Sequence, residues 1–170
     1  MRLQVVLRYP AAPERVVAML ADPEFSRRVI LASNGRPDAV DVTGDATGAG
    51  AFTVTTRRSL PTDQIPAQMR SFVGASLDVR QAISWGAAED GIRRGSVAVE
   101  IAGAPVRVTG TTHLVASPEG HTVLEYDTRV RAQVPLFAAA VEEAAAGAVR
   151  HALQTEERIG TEWLMSSDVG

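Results

Sequence analysis

The chain has 170 residues, 45% of them apolar, and a formal net charge of −3. That length suits one domain with a proper core; no segment nears the roughly eighteen consecutive apolar residues of a membrane span, and the acidic balance argues against nucleic-acid binding, which needs concentrated positive charge. Cysteine and lysine are both absent, which excludes disulfides, thiolate nucleophiles, Cys-bound metals, lysine Schiff bases and the lysine of a phosphate loop.

The opening run MRLQVVLRYPAAPERVV carries an apolar stretch of only a few residues, interrupted by Arg8, so it makes a poor signal peptide and a cytoplasmic protein is expected. Arg2 to Tyr9 reads as a strand, with Leu3, Val5 and Leu7 in one alternating phase. Pro10 and Pro13 break it, and Pro13-Glu14 suits a helix start, with Val16, Val17 and Leu20 on its buried side. Asp22-Pro23-Glu24 is a second start: a capping carboxylate, proline at the first helical position and an acid behind it. Phe25, Val29 and Ile30 share that helix's inner face, and Asn34-Gly35 ends it.

A meander follows. Its strands are expected at Asp38 to Thr43, Ala51 to Leu60, Leu77 to Ala87, Ile92 to Ala102, Val106 to Ser117 and His121 to Val134. The turns are marked at Gly44 to Gly50, Glu89-Asp90-Gly91, Gly103-Ala104-Pro105 and Ser117 to Gly120. Connections this short suit antiparallel hairpins. Pro61 to Ala75, with a helical turn at Ala67 to Val73, is expected as a loop or short helix at the mouth of the sheet. From Pro135 to Met165 the pattern turns helical without a break, giving a helix of about 45 Å at 1.5 Å per residue. A helix of that length must bury its apolar stripe against something large, and the sheet is the only candidate. No internal repeat or linker interrupts the chain, so residues 1–170 are expected to form one domain.

The order strand, two short helices, six antiparallel strands and a long terminal helix resembles the START/Bet v 1-like (SRPBCC, helix-grip) superfamily. The Pro135 to Phe137 entry, Val141-Glu142 and the late Gly160, Trp163 and Leu164 resemble more specifically an actinobacterial family of unknown function within it. The resemblance implies an α+β helix-grip fold: a curved seven-stranded antiparallel sheet wrapped around the long C-terminal helix, with a cavity between them. It does not select an activity, since the superfamily includes lipid and hormone carriers, polyketide cyclases, quinone-binding proteins and chaperone partners.

The strand phases predict which side chains face the helix. One phase holds Phe52, Val54 and Thr56; Leu77, Val79, Gln81, Ile83 and Trp85; Val97, Val99 and Ile101; Val106, Val108, Gly110, Thr112 and Leu114; and Leu124, Tyr126, Thr128 and Val130. The other phase of the last strand is Glu125, Asp127, Arg129 and Arg131, the pattern of a sheet with one wet face. On the helix, Phe137, Val141, Ala144, Ala148, Ala152, Ile159 and Trp163 form a stripe whose middle is all alanine. Small side chains there either leave room for a ligand or let the helix approach the sheet. The candidates for lining a ligand cavity are therefore Thr56, Val79, Gln81, Ile83, Trp85, Val99, Val108, Thr112, Tyr126, Thr128, Phe137, Val141, Ala144, Ala148 and His151. Polar members of an apolar phase interest us most, because a buried polar group needs a partner and a ligand can supply one. Tyr126 leads them, its ring able to line a pocket while its hydroxyl orients a ligand.

No catalytic signature is present. The histidines lack metal-site spacing, there is no HExxH and no G-x-S-x-G, and no metal or cofactor is expected. His113 falls in the outward phase and His121 beside a turn, whereas His151 borders the alanine stripe and, if it reached the cavity, would be a plausible general base. Glu142-Glu143 and Glu156-Glu157 are read as solvated helix faces, since neighbouring helical positions diverge by about 100°. Arg57-Arg58 and Arg93-Arg94 are read as solvated strand positions. The glycine-rich GDATGAG stretch is read as a hairpin turn, because it lacks the lysine of a phosphate loop.

Three functions fit. The first is noncatalytic binding of a small hydrophobic or amphipathic molecule, such as a lipid, isoprenoid or polyketide-like compound. The second is an enzyme of the cyclase or dehydratase kind, in which Tyr126 or His151 moves a proton. The third is a module that docks a protein partner or a second copy of itself. Aliphatic walls favour the first, an inward His or carboxylate the second, and a filled interior with a bare apolar patch the third.

Overall fold

Period-two alternation and short turns build the sheet of the computed structural model, which describes residues 1–45, 50–62, 70 and 75–166. β1 (Arg2–Tyr9) leads into α1 (Pro13–Leu20) and α2 (Pro23–Ala32). Then come β2 (Arg36–Gly44), β3 (Phe52–Pro61), β4 (Ser76–Glu89), β5 (Ile92–Ala102), β6 (Val106–Ala116) and β7 (Thr122–Ala132), followed by the 29-residue α3 (Ala138–Ser166). The strands form one curved, seven-stranded antiparallel sheet in the order β1-β7-β6-β5-β4-β3-β2.

Local chemistry explains most boundaries. Asp22 caps α2, its Oδ1 accepting from the Glu24 amide at 2.8 Å. Asn34 ends the helix in the left-handed region at φ 57°, a conformation that asparagine tolerates better than most residues. Asp90 and Gly91 take φ of 51° and 75°, the two positive values that let a two-residue hairpin follow the twist of its strands. Strand β2 starts earlier than its sequence suggests and includes Pro37, tolerated because β2 is an edge strand and its register slips between Pro37 and Ala39. The Gly44 to Gly50 turn and the Pro61 to Ala75 segment lie largely outside the described residues.

The long helix begins at Ala138 rather than Pro135. Leu136 adopts φ 67°, which no right-handed helix accommodates, so Phe137 precedes the helix and remains 58% exposed.

Two buried clusters hold the layers together. The larger joins Leu7, Tyr9 and the inner faces of α1 and α2 to Phe52, Trp85, Leu114, Leu124 and Leu164. The smaller joins Leu3, Val106, Val108 and Val130 to Val141 and Ala146 near the start of α3. Between them α3 packs on β1, β7 and α2 but makes few contacts with β3, β4 and β5. Gly160 sets the close approach at one end: a Cβ there would stand 2.5 Å from Tyr9 Cε1 and 3.0 Å from Met19 Cε. The sheet therefore curves away from a helix that is pinned on one side.

Candidate functional site

The gap between α3 and strands β3 to β5 is a cavity of about 520 Å³. Most of its wall is aliphatic, because the inward phase of each strand is apolar: Val54, Val79, Ile83, Val97, Val99 and Val108 all face it. Across from them stand Ala144, Ala148 and Ala152 of α3. The alanine stripe thus borders open volume, whereas Ala146, on another face of the same helix, is buried against the smaller cluster.

Of the residues expected from sequence, Thr56, Val79, Gln81, Ile83, Trp85, Val99, Val108, Tyr126, Thr128, Val141, Ala144, Ala148 and His151 line this cavity. Two do not. Thr112 is fully buried and its hydroxyl donates to the Glu125 carbonyl at 2.9 Å; it flanks Gly95 together with Trp85, inside the packed end of the sheet. Phe137 lies outside, for the reason given by Leu136. His151 lines the cavity but stays exposed, and His113 points outward, 3.3 Å from Glu125.

Two charged groups expected to be solvated belong to the cavity instead. Glu156 falls one turn beyond Ala152, inside the stripe that continues to Ile159 and Trp163, so it projects inward. Its Oε1 accepts hydrogen bonds from Tyr126 at 3.3 Å and Tyr9 at 3.4 Å, both longer than the common O–H···O separation of about 2.7–2.8 Å. Register brings these groups together: β1 and β7 are neighbours, and Gly160 holds α3 against Tyr9. Burial pushes the Glu156 carboxyl up from 4.5 to about 7, against the lowering by the two tyrosine hydroxyls and by the charge of Arg58. Part of the carboxyl surface opens onto the cavity, yet protein surrounds it at longer range, and that environment penalises the charge. Burial also raises both tyrosines well above 10, with the Glu156 charge adding to it; they remain neutral donors.

Arg58 is the second. The phase Phe52, Val54, Thr56 runs on to residue 58, and its guanidinium lines the cavity. Nη1 donates to Gln81 Oε1 at 3.2 Å and to Thr56 Oγ1 at 3.3 Å, with Thr56 paired directly to Gln81 across the strands. Burial lowers its pKa, offset by the Glu156 charge, but an arginine starts so high that it stays protonated at neutral pH.

Arg93, unlike the half-buried Arg58, is withdrawn from solvent. It is 5% exposed, donates from Nη1 to the Gly50 and Gly86 carbonyls at 2.7 Å each, and lies over the Phe52 ring at 5.5 Å. Its role is to close the end of the sheet. Glu142 is half-buried and accepts from the Ala132 amide at 3.1 Å, tying the start of α3 to β7. Among the described residues no group of three or more His, Cys, Asp or Glu side chains could hold a metal ion, and no helix is long and apolar enough to cross a membrane.

A curved antiparallel sheet gripping a long terminal helix, with two short helices after the first strand, is the START/Bet v 1-like fold. Solved structures with this architecture include the protein TTHA0849 from Thermus thermophilus, with a TM-score of 0.60 at 15% identity over 98% of this chain and 99% of that one. Ara h 8.0201 matches at 0.57 and 12% identity over 98% of both chains. Truncated norcoclaurine synthase from Thalictrum flavum matches at 0.55 and 13% identity, over 94% of this chain and 92% of that one. Identities this low establish the shared fold alone. Within that class, residues 4–164 match the family model described as "Protein of unknown function (DUF2505)", and the chain belongs to that family. Uncharacterized proteins of Mycobacterium tuberculosis and Mycobacterium bovis are 24% identical to it over 131 residues, 76% of this chain and 75% of theirs.

Proposed function

We propose that this protein binds a small hydrophobic or amphipathic molecule in the cavity between α3 and the sheet. The observation that carries this reading is the cavity itself: about 520 Å³, within the range of about 300–1,000 Å³ typical of small-molecule sites, with aliphatic walls and a few convergent polar groups. Affinity would come from apolar burial, at roughly 25 cal/mol per Å² before the costs of ordering. Native mass spectrometry of the purified protein, with organic extraction of whatever co-purifies, tests it. A near-stoichiometric apolar species is the expected result. An empty protein that also takes up no lipid, quinone or neutral hydrophobic dye would sink the reading.

Glu156 favours a second reading, in which the cavity belongs to a cyclase- or dehydratase-like enzyme. A carboxyl that titrates near 7 on the cavity wall is matched to proton transfer at neutral pH. Solvent-deuterium exchange into the extracted ligand separates the two readings. Exchange in the wild type that disappears in Glu156→Gln supports the enzyme; a ligand that never exchanges supports the carrier.

A further inference from the structure

We infer that the ligand is amphipathic with an anionic head, a carboxylate, and that Arg58 is the group that receives it. This rests on the cavity-binding reading and specifies its ligand class.

The geometry begins with how Arg58 is held. Thr56 and Gln81 engage Nη1 only. Among the described residues Nε and Nη2 donate to nothing, and no carboxylate lies within the 4.0 Å of an ion pair. A neutral hydroxyl and a neutral amide thus orient the guanidinium from the sheet side. They leave the planar edge that pairs with a carboxylate in bidentate fashion. An arginine placed for structure alone is ordinarily paired with a carboxylate or saturated by carbonyls, as Arg93 is with Gly50 and Gly86. Arg58 has neither.

The sign of the head group follows from an asymmetry between the two charges of the cavity. Glu156 escapes the cost of burial by taking up a proton, whereas Arg58 has no neutral form within reach. Tyr9 and Tyr126 stay neutral. The charge that persists is therefore positive; the guanidinium is half-buried, and a charge drawn out of water with no counter-ion in ion-pair contact is costly to leave unmet. An ammonium head would face Arg58 with only a neutralisable carboxyl to hold it. A carboxylate would complete the arginine, and its tail would run along the aliphatic wall formed by Val79, Val99 and Val108.

Three probes of one chain length test this: decanoate and decylammonium below their micelle concentrations and decanol below its solubility limit, titrated calorimetrically into the full chain at pH 7. Wild-type protein is expected to bind decanoate about tenfold or more tightly than decanol, and decylammonium most weakly. Arg58→Gln should bring decanoate down to the level at which the same variant binds decanol, and Arg58→Lys should restore part of the difference. Equal binding of decanoate and decanol to wild type, or a preference for decylammonium, overturns the inference, and neither outcome needs a variant that folds. A decanoate preference that survives in Arg58→Gln also overturns it. If none of the three probes nor a neutral dye binds, the cavity-binding reading itself fails, a result distinct from the loss of head-group selectivity.

Discussion

Replacing Glu156 with glutamine should remove a pH dependence that this one side chain imposes on stability. The native carboxyl titrates near 7 against 4.5 in the free chain. Because the folded state holds the proton more tightly, it binds more protons than the unfolded state between those values, and stability falls as pH rises through the window. The cost is absent below about 4.5 and fully present above about 7. A shift of that size corresponds to about 3 kcal/mol. Since part of the carboxyl opens onto the cavity, water there screens it, and about 3 kcal/mol is a ceiling. Glutamine keeps the shape and an oxygen that accepts from Tyr9 and Tyr126, but carries no charge to desolvate. Urea unfolding of wild type and Glu156→Gln at pH 5, 6, 7 and 8, followed by the fluorescence of Trp85 and Trp163, gives the measurement. Taking the difference between the two proteins cancels every other titrating group. The variant should gain on the wild type by roughly 1–3 kcal/mol between pH 5 and pH 8. Curves that run parallel within about 0.5 kcal/mol would falsify the claim that Glu156 is desolvated at the cavity wall.

Gly160→Ala places a methyl group 2.5 Å from Tyr9 Cε1 and should cost about 1–3 kcal/mol in urea unfolding; an unchanged midpoint would show that the helix is free to move off β1. Leu124, with no exposed surface, should lose about 2–5 kcal/mol as alanine, while Phe137→Ala, at an exposed position, should stay within about 0.5 kcal/mol. A comparable loss at Phe137 would mean that it packs inward after all. Ala148→Phe puts a ring into the cavity rather than into packed core, so uptake of a neutral hydrophobic dye should fall about tenfold or more while stability changes by under about 1 kcal/mol. Full dye binding by a folded Ala148→Phe protein would place the dye elsewhere.

Much of the architecture is legible in the residues because the signals that set it are local. Period two in the strands, proline at Pro13 and Pro23, the Asp22 cap and the Asp90-Gly91 turn each act over a few bonds. The inward phase of β3 to β7 follows from the same alternation. The charged residues of the cavity are present in that pattern too. Arg58 continues Phe52, Val54 and Thr56, and Glu156 continues Ala148 and Ala152, but charge alone assigns each of them to water. In a chain whose charged residues mostly do face water that rule succeeds, and it fails where a cavity supplies partners.

Sequence alone determined the order of the elements, the face each strand presents and the amphipathic helix that must cover the sheet. Whether that cover is tight or hollow was decided only by tertiary structure. The alanines of α3 are equally compatible with close packing and with a void, because a small side chain fixes how near a neighbour can come and not how near it does. That distance is set at remote points: Gly160 against Tyr9 and Met19, and Val141 and Ala146 in the smaller cluster. These contacts hold the helix on β1 and β7 while the sheet curves away, leaving the cavity that Arg58 and Glu156 both line.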